Sequence, residues 1–166
     1  MATDLDPRTP DILARYRRIV AWPGGRSVFD YLIGSTVPYA GSIRPQVEVL
    51  EPGRARVAIA DRRAVRNHLG SVHAAALVNL GELAANLALM TRQPRDGRWI
   101  VRGLDVDFVK VARGPVRAEA NVPELAWTES RDVPGEAVVT DSSGATVAVV
   151  RPRWRIGPKK PAQVAA

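Results

Sequence analysis

The chain has 166 residues, a length typical of one domain that can bury a sizeable core. Hydrophobic residues make up 46% of it and charged residues 25%, which are values of globular proteins. It contains no cysteine, which excludes a disulfide scaffold, a thiolate metal site and a cysteine nucleophile. The two histidines, His68 and His73, do not have the spacing of a zinc site, so no metal is expected.

The chain is basic, with a formal net charge of +7 at pH 7, and this invites comparison with nucleic-acid-binding proteins. However, the basic residues are scattered, aromatic residues make up only 5% of the chain, and no nucleic-acid-binding motif is present. We therefore expect no nucleic-acid partner, because positive charge suits a phosphate-bearing small ligand equally well. The N-terminal segment is unlike a secretory signal, because it carries Asp4 and Asp6 and has no apolar stretch. We therefore expect a cytoplasmic location.

Two helices are predicted near the N-terminus. Thr9-Pro10-Asp11 is typical of an N-cap with proline at the first helical position, and Pro23-Gly24-Gly25 ends this first helix. Ser27 and Asp30 resemble a capping box that opens a second helix, which ends at Gly34. We expect the two helices to pack as a lid or flank on the rest of the chain.

The remaining sequence alternates in the manner of β-strands and is interrupted by one long helix. Residues 47–59 form a hairpin around Pro52-Gly53, and the helix runs from about Val72 to Thr91. Phe108-Val109 interrupts the alternation of the strand after this helix, which indicates a β-bulge. Four strands complete the chain, over residues 99–111, 116–122, 136–140 and 145–156, with a turn at 141–144.

This order of elements predicts an α+β fold. The long helix is apolar on all sides, so the antiparallel sheet is expected to wrap around it and shield it from water. A transmembrane helix is the alternative for residues 72–90, but the polar residues within the segment and the amphipathic strands around it disfavour a membrane. We predict an N-terminal helical flank over residues 1–38, the main domain over 39–156 and a disordered tail over 157–166.

Glu82 is the residue of the long helix that requires an explanation. Removing an unpaired carboxylate from water is costly, so a carboxylate in an apolar helix is normally paired or used in function. Asn79, Glu82 and Asn86 lie at positions i, i+3 and i+7 and form one narrow polar stripe. The stripe either faces solvent or a subunit contact, or it carries a functional carboxylate. The alanine- and leucine-rich surroundings favour the functional interpretation.

The loop before the helix carries groups that complement such a carboxylate. Gly70 permits close approach of the backbone, and the amide of Asn67 can donate a hydrogen bond to a nucleophile or a water. The helix N-terminus near His73 and Ala74 has unsatisfied backbone N–H groups, which suit an oxyanion. His73 is interpreted either as a base or as a capping residue, and His68 as structural.

The order Asn67, Gly70 and His73 at intervals of three residues, followed nine residues later by Glu82, resembles the hotdog-fold acyl-CoA thioesterases of the phenylacetate-degradation type. Residues 104–114 (LDVDFVKVARG) and the hairpin at 141–144 are also similar to this family. The resemblance covers residues 39–156 and is strongest to a poorly characterised hotdog branch that reads Asn-His-x-Gly-Ser-Val-His-Ala-Ala. It implies a hotdog fold, to which this chain adds its N-terminal helices.

The resemblance implies hydrolysis of an acyl-CoA thioester, with coenzyme A entering as part of the substrate and without a cofactor. Glu82 would act as nucleophile or as general base on water, the N–H of Ala74 would polarise the carbonyl, and Asn67 would orient water or the carboxylate. The site would be shared across a homodimer, alone or doubled to a tetramer, with Glu82 from one protomer and the loop from the other. Lys110 and Arg113 would face the phosphates of coenzyme A.

Two residues depart from the family pattern and leave an alternative open. His73-Ala74-Ala75 stands where the family has His-Gly-Gly, and Glu82 stands where aspartate is commoner. A methyl group therefore crowds the approach of the thioester, and the alternative is a protein that binds or senses acyl-CoA without turnover. Hydratase chemistry is disfavoured because its Asp-to-His loop pattern is not visible. The last strand carries arginine at alternate positions, Arg151, Arg153 and Arg155. These arginines are interpreted either as a charged edge strand that resists aggregation or as a patch that faces phosphate groups.

Overall fold

The computed structural model describes residues 10–159 and contains one antiparallel sheet with a long helix against it. The described helices are α1 (Asp11–Val20), α2 (Gly25–Thr36), α3 (Pro38–Gly41) and α4 (Ala74–Met90), with a short 3-10 helix at Arg63–Val65. The strands are β1 (Gln46–Glu51), β2 (Arg54–Ile59), β3 (Gly97–Phe108), β4 (Val116–Asn121), β5 (Arg131–Pro134), β6 (Ala137–Asp141) and β7 (Thr146–Pro158). Within residues 10–159, every helix is too short or too polar to cross a bilayer.

The strand order is β1-β2-β4-β6-β7-β3, and β5 pairs with β7 beside β6. β5 pairs with the C-terminal part of β7 and β6 with its N-terminal part, so the two behave as one interrupted strand. At the interruption the N–H of Gly135 donates to the carbonyl of Pro152. A Cβ at Gly135 would lie 2.1 Å from the ring of Trp154, so the close approach requires glycine. The sequence pattern did not predict β5.

The sheet wraps around α4, as the sequence predicts. α4 packs against β2, β4, β6 and β7, and its small residues Ala84, Ala85 and Ala88 are fully buried. Gly81 allows the closest approach, because a Cβ there would lie 2.5 Å from Cγ2 of Val150. Small side chains on the helix therefore let the sheet come near enough to shield it.

The helices α1 and α2 cover a side of α4 that the sheet leaves open. Tyr16 of α1 and Phe29 of α2 are buried and meet edge-to-face, with ring centroids 4.9 Å apart. Asp30 of α2 accepts a hydrogen bond from the N–H of Val47 at 2.8 Å, which fastens α2 to β1. This contact holds α2, and α1 packed on it, against the sheet.

The predicted start of α2 is wrong. The helix begins at Gly25, after Gly24 with a φ of 77°, and no side chain caps it. Asp30 is used in the contact with β1 and not in a capping box with Ser27. The end also differs, since α2 continues past Gly34 to Thr36. The predicted cap at Thr9 lies outside the described residues.

β3 has an irregularity between Val101 and Gly103 that the sequence did not predict, and it ends at Phe108. Directly after this end, the N–H groups of Val109 and Lys110 both donate to the carbonyl of Val147. Two residues opposite one is the pattern of a β-bulge, which agrees with the irregularity predicted at Phe108-Val109. The end of β7 differs from expectation. β7 continues through Pro158, past the predicted end of the domain at residue 156.

The arginines of β7 lie inside the sheet and not at its edge, because β7 runs between β6 and β3. On the outer face Arg151 pairs with Asp107 at 2.6 Å and Arg155 with Asp132 at 2.5 Å. Arg153 lies 3.6 Å from Asp105. The edge interpretation is therefore wrong, and carboxylates from neighbouring strands balance these charges.

Candidate active site

A row of partly exposed residues runs along the otherwise buried α4. From Ala76 to the end of the helix, all residues are buried except Val78, Glu82, Asn86 and Met90, which are partly exposed. Residues four apart lie on one face of a helix, so these side chains point to the same side. Glu82, Asn86 and Met90 line a cavity of about 730 Å³. The carboxylate of Glu82 therefore faces a cavity and not the packed core.

The cavity lies between α4 and the N-terminal helices. Its walls are mainly apolar, and α1 and α2 supply much of them. The apolar side chains that face it include Ile12, Ile19, Phe29, Ile33, Leu83 and Leu87. The N-terminal helices, which the sequence predicts to pack as a lid or flank, thus form part of the candidate site.

Asn86 connects Glu82 to the core of the sheet. The indole N–H of Trp154 donates to Oδ1 of Asn86 at 2.8 Å, and Nδ2 of Asn86 lies 3.4 Å from Oε1 of Glu82. An indole nitrogen can only donate, so it sets the orientation of the amide and turns Nδ2 toward the carboxylate. Because Trp154 is fully buried, this chain of contacts anchors Glu82 to β7.

Asn79, the third member of the polar stripe, has a structural role. It is buried, and its Nδ2 donates to the carbonyl of Tyr39 at 2.9 Å. This bond holds α3 against α4 at one end of the cavity. The stripe therefore divides into an anchor, Asn79, and a connected pair, Glu82 and Asn86.

Asn67 organises the loop before α4. Its Oδ1 accepts hydrogen bonds from the N–H groups of Leu69 and Ser71 and from the hydroxyl of Ser71, at 3.0 to 3.2 Å. The oxygen is therefore used within the loop, and the Nδ2 donor is left to face other groups. Gly70 has a φ of 72°, a left-handed conformation that favours glycine, and its N–H bonds to the carbonyl of Asn67.

The N-terminus of α4 offers an unpaired backbone donor. His73 is the N-cap, and its Nδ1 accepts the N–H of Ala75 at 3.0 Å. The structure therefore supports the capping interpretation of His73, since this bond occupies Nδ1. The N–H of Ala74 has no acceptor within residues 10–159, and Ala74 is exposed. The predicted oxyanion donor is thus available.

The two halves of the predicted site do not meet within one chain. Ala74 and Glu82 are eight residues apart on the same helix, a separation of about 12 Å along its axis. Asn67, Gly70, His73 and Ala74 do not line the cavity that Glu82 faces. One substrate carbonyl therefore cannot contact the loop and the carboxylate of the same chain.

The two predicted phosphate ligands have different environments. Lys110 Nζ lies 2.9 Å from Asp141, and hydrogen bonds from Ser143 and Lys110 hold the pKa of Asp141 well below its usual value. The Lys110 ammonium is thus used in an ion pair with the β6–β7 turn. Arg113 is exposed and has no ion-pair partner among the described residues. It lies beside the loop, because the carbonyl of Ala112 accepts the N–H of Val72 at 2.9 Å.

Residues 25–156 match the family model described as Domain of unknown function (DUF4442). The chain belongs to this family. The match begins at the first residue of α2, so the family domain includes one of the helices that wall the cavity. No curated protein matches the chain by sequence.

Several solved structures are similar to this chain. The crystal structure named genomics APC5556 has 32% sequence identity and a TM-score of 0.77, over 87% of this chain and 97% of that one. The probable thioesterase PA5026 from Pseudomonas aeruginosa has 23% identity and a TM-score of 0.72, over 82% and 97%. A mutant of the phenylacetic acid degradation protein PaaI from Thermus thermophilus has 24% identity and a TM-score of 0.61, over 71% and 97%. The predicted hotdog fold is confirmed.

Proposed function

We propose that this protein hydrolyses an acyl-CoA thioester at Glu82. The observation that carries the proposal is the position of Glu82, partly exposed beside a mainly apolar cavity and oriented by Asn86. An oriented carboxylate beside an apolar cavity is suited to act on the carbonyl of a bound acyl group. The name of the similar structure PA5026, a probable thioesterase, supports the same reaction class.

In this reaction the carboxylate of Glu82 takes a proton from water as the oxygen attacks the thioester carbon. The carbonyl oxygen becomes an oxyanion, which the N–H of Ala74 stabilises at the helix N-terminus. The tetrahedral intermediate then expels the coenzyme A thiolate, which takes up the proton, and the products are a carboxylic acid and a thiol. In a second version Glu82 attacks the carbonyl itself, and water then hydrolyses the resulting anhydride.

The site is completed by a second copy of the chain, because Ala74 and Glu82 of one copy are too far apart to act together. The edge strand β3 supports this assembly. Leu104 and Phe108 lie on the face that is turned toward α4, yet they are 37% and 53% exposed. A long edge strand with uncovered apolar residues is suited to pair with another strand. We propose a homodimer, alone or as half of a tetramer, in which Glu82 meets the partner's loop.

The second candidate function is acyl-CoA binding without turnover. It is favoured by the methyl groups of Ala74 and Ala75 at the helix N-terminus and by the use of His73 Nδ1 as a cap. Saturable binding of acyl-CoA in calorimetry, with no release of thiol, would establish it.

The test is a thiol-release assay over a series of acyl-CoA thioesters with wild type and Glu82→Gln. Loss of the carboxylate should lower kcat by about 10²–10⁴-fold, the usual contribution of a general base, with an unchanged melting temperature. Glu124→Gln, which alters an exposed loop carboxylate, is the matched control and should behave as wild type. Full activity of Glu82→Gln would rule out the proposed role.

A further inference from the structure

We infer that the cavity beside Glu82 binds the hydrocarbon chain of an unbranched, medium-length acyl group of about ten carbons. The inference rests on the proposed function at Glu82. It assigns α1 and α2 the role of an acyl-binding wall and makes Met90 a residue that determines chain length. Three properties of the cavity support it: the pairing of its polar groups, its length and its outer rim.

Apart from Glu82, the polar side chains of the cavity wall that are not exposed to solvent already have partners within the protein. Asn79 bonds to the carbonyl of Tyr39, and Asn86 bonds to Trp154 and Glu82. Gln93 donates to the carbonyl of Gly97 and accepts from the indole of Trp99. The pantetheine arm of coenzyme A carries two amides that would need new partners in this cavity. A hydrocarbon chain needs none, so the acyl group is the better occupant.

The length of the cavity between Glu82 and Met90 follows from α4. Glu82 and Met90 both line it and are eight residues apart, so they are separated by about 12 Å along the helix. An extended chain advances about 1.2 Å per bond, since three backbone bonds span about 3.3–3.6 Å. A chain that starts at a carbonyl beside Glu82 therefore reaches Met90 after about ten bonds.

Beyond Met90 the cavity opens at a charged rim. Arg95 lies 3.7 Å from Asp11, and Lys159 Nζ donates to the carbonyl of Arg95 at 2.5 Å. These residues are exposed, so a longer chain would place its last carbons among charged groups and water. Further methylenes are therefore expected to add little to binding, because they are not removed from water.

The experiment measures kcat/KM for acetyl-, hexanoyl-, decanoyl- and hexadecanoyl-CoA with wild type, Met90→Trp and Val28→Trp. For wild type, kcat/KM should rise by about fourfold per buried methylene up to about ten carbons and then level off. Met90→Trp fills the far end of the cavity, so it should lose most of the advantage of decanoyl-CoA and retain the acetyl-CoA rate. Val28→Trp adds the same ring on α2 at an exposed position outside the cavity and should match wild type.

Thermal melting checks the fold of each variant. Leu32→Trp is the second variant that narrows the cavity, because Leu32 is a 42% exposed residue of the opposite wall, on α2. Equal loss at every chain length would mean that the cavity holds the pantetheine arm and would overturn the inference. A wild-type profile that does not depend on chain length would also overturn it, while the proposed hydrolysis would stand.

Absence of turnover by folded wild type would refute the hydrolysis and not the acyl site. In that case calorimetry with decanoate and acetate decides. Binding of decanoate that Met90→Trp weakens would support the acyl site. Equal or absent binding of the two acids would overturn it.

Discussion

The two halves of the candidate site are built in different ways. The loop half, residues 67–74, is held mostly by bonds between near neighbours, such as Asn67 with Ser71 and the His73 cap, and by one distant bond from Val72 to Ala112. The cavity half depends on distant contacts, since Asn86 bonds to Trp154, 68 residues away, and Asn79 to Tyr39, 40 residues away. The loop half is exposed at the surface, whereas the cavity half is enclosed by α1 and α2. An exposed, locally built half is suited to serve a second chain.

The largest effect on the loop half is expected from Ala74→Pro, which removes one backbone N–H. Proline is favoured at the first position of a helix, and His73, with φ −65° and ψ 137°, has the conformation preferred before proline. The variant should therefore fold normally. If the N–H of Ala74 stabilises the oxyanion, kcat should fall by about 10²–10³-fold in the thiol-release assay.

Ala74→Gly is the matched control, because it keeps the N–H and removes the methyl group that faces the thioester. Its kcat should equal or exceed that of wild type. An active Ala74→Pro enzyme would show that another group holds the oxyanion.

Mixing the two inactive variants tests whether the halves meet between chains. Glu82→Gln and Ala74→Pro, co-expressed in equal amounts, should form dimers at random, and a mixed dimer would have one site with both halves intact. About a quarter of wild-type activity should then return, since one site in four is complete. If Glu82 and Ala74 act within one chain, no activity will return, and the proposal of a shared site would be wrong.

The sequence predicted the loop half better than the cavity half, for physical reasons. Gly70 and the helix start at Ala74 follow from local chemistry, and the all-round apolar α4 implies a sheet that wraps around it. The contact of Asn86 with Trp154 depends on the pairing of distant strands, for which no local pattern exists. β5 was missed because its four residues, Arg-Asp-Val-Pro, combine two charges and a proline in a segment too short to show alternation.

A smaller effect is expected when the link between Glu82 and the sheet is cut. Asn86→Leu removes the amide, and Trp154→Phe removes the donor that orients it. Each should lower kcat about five- to tenfold with little change in KM, since about one hydrogen bond that orients the carboxylate is lost. Trp127→Phe is the matched control, because the Trp127 indole N–H has no partner among the described residues. An equal loss in that variant would point to a general effect on packing.

The smallest effects should distinguish Lys110 from Arg113. Arg113→Met should raise KM for acyl-CoA by roughly two- to fivefold, as expected for an exposed phosphate contact. Lys110→Met should leave KM unchanged and lower the melting temperature slightly, because the Lys110 ammonium pairs with Asp141 in the β6–β7 turn.

The effect of Lys110 on stability should depend on pH. Hydrogen bonds from Ser143 and Lys110 lower the pKa of Asp141 in the folded protein. The stabilisation that the ionised Asp141 provides therefore exists above its unfolded pKa of about 4 and is lost as pH falls through the folded pKa. The difference in melting temperature between wild type and Lys110→Met should therefore shrink at acid pH. A raised KM for Lys110→Met would instead place this lysine at the substrate.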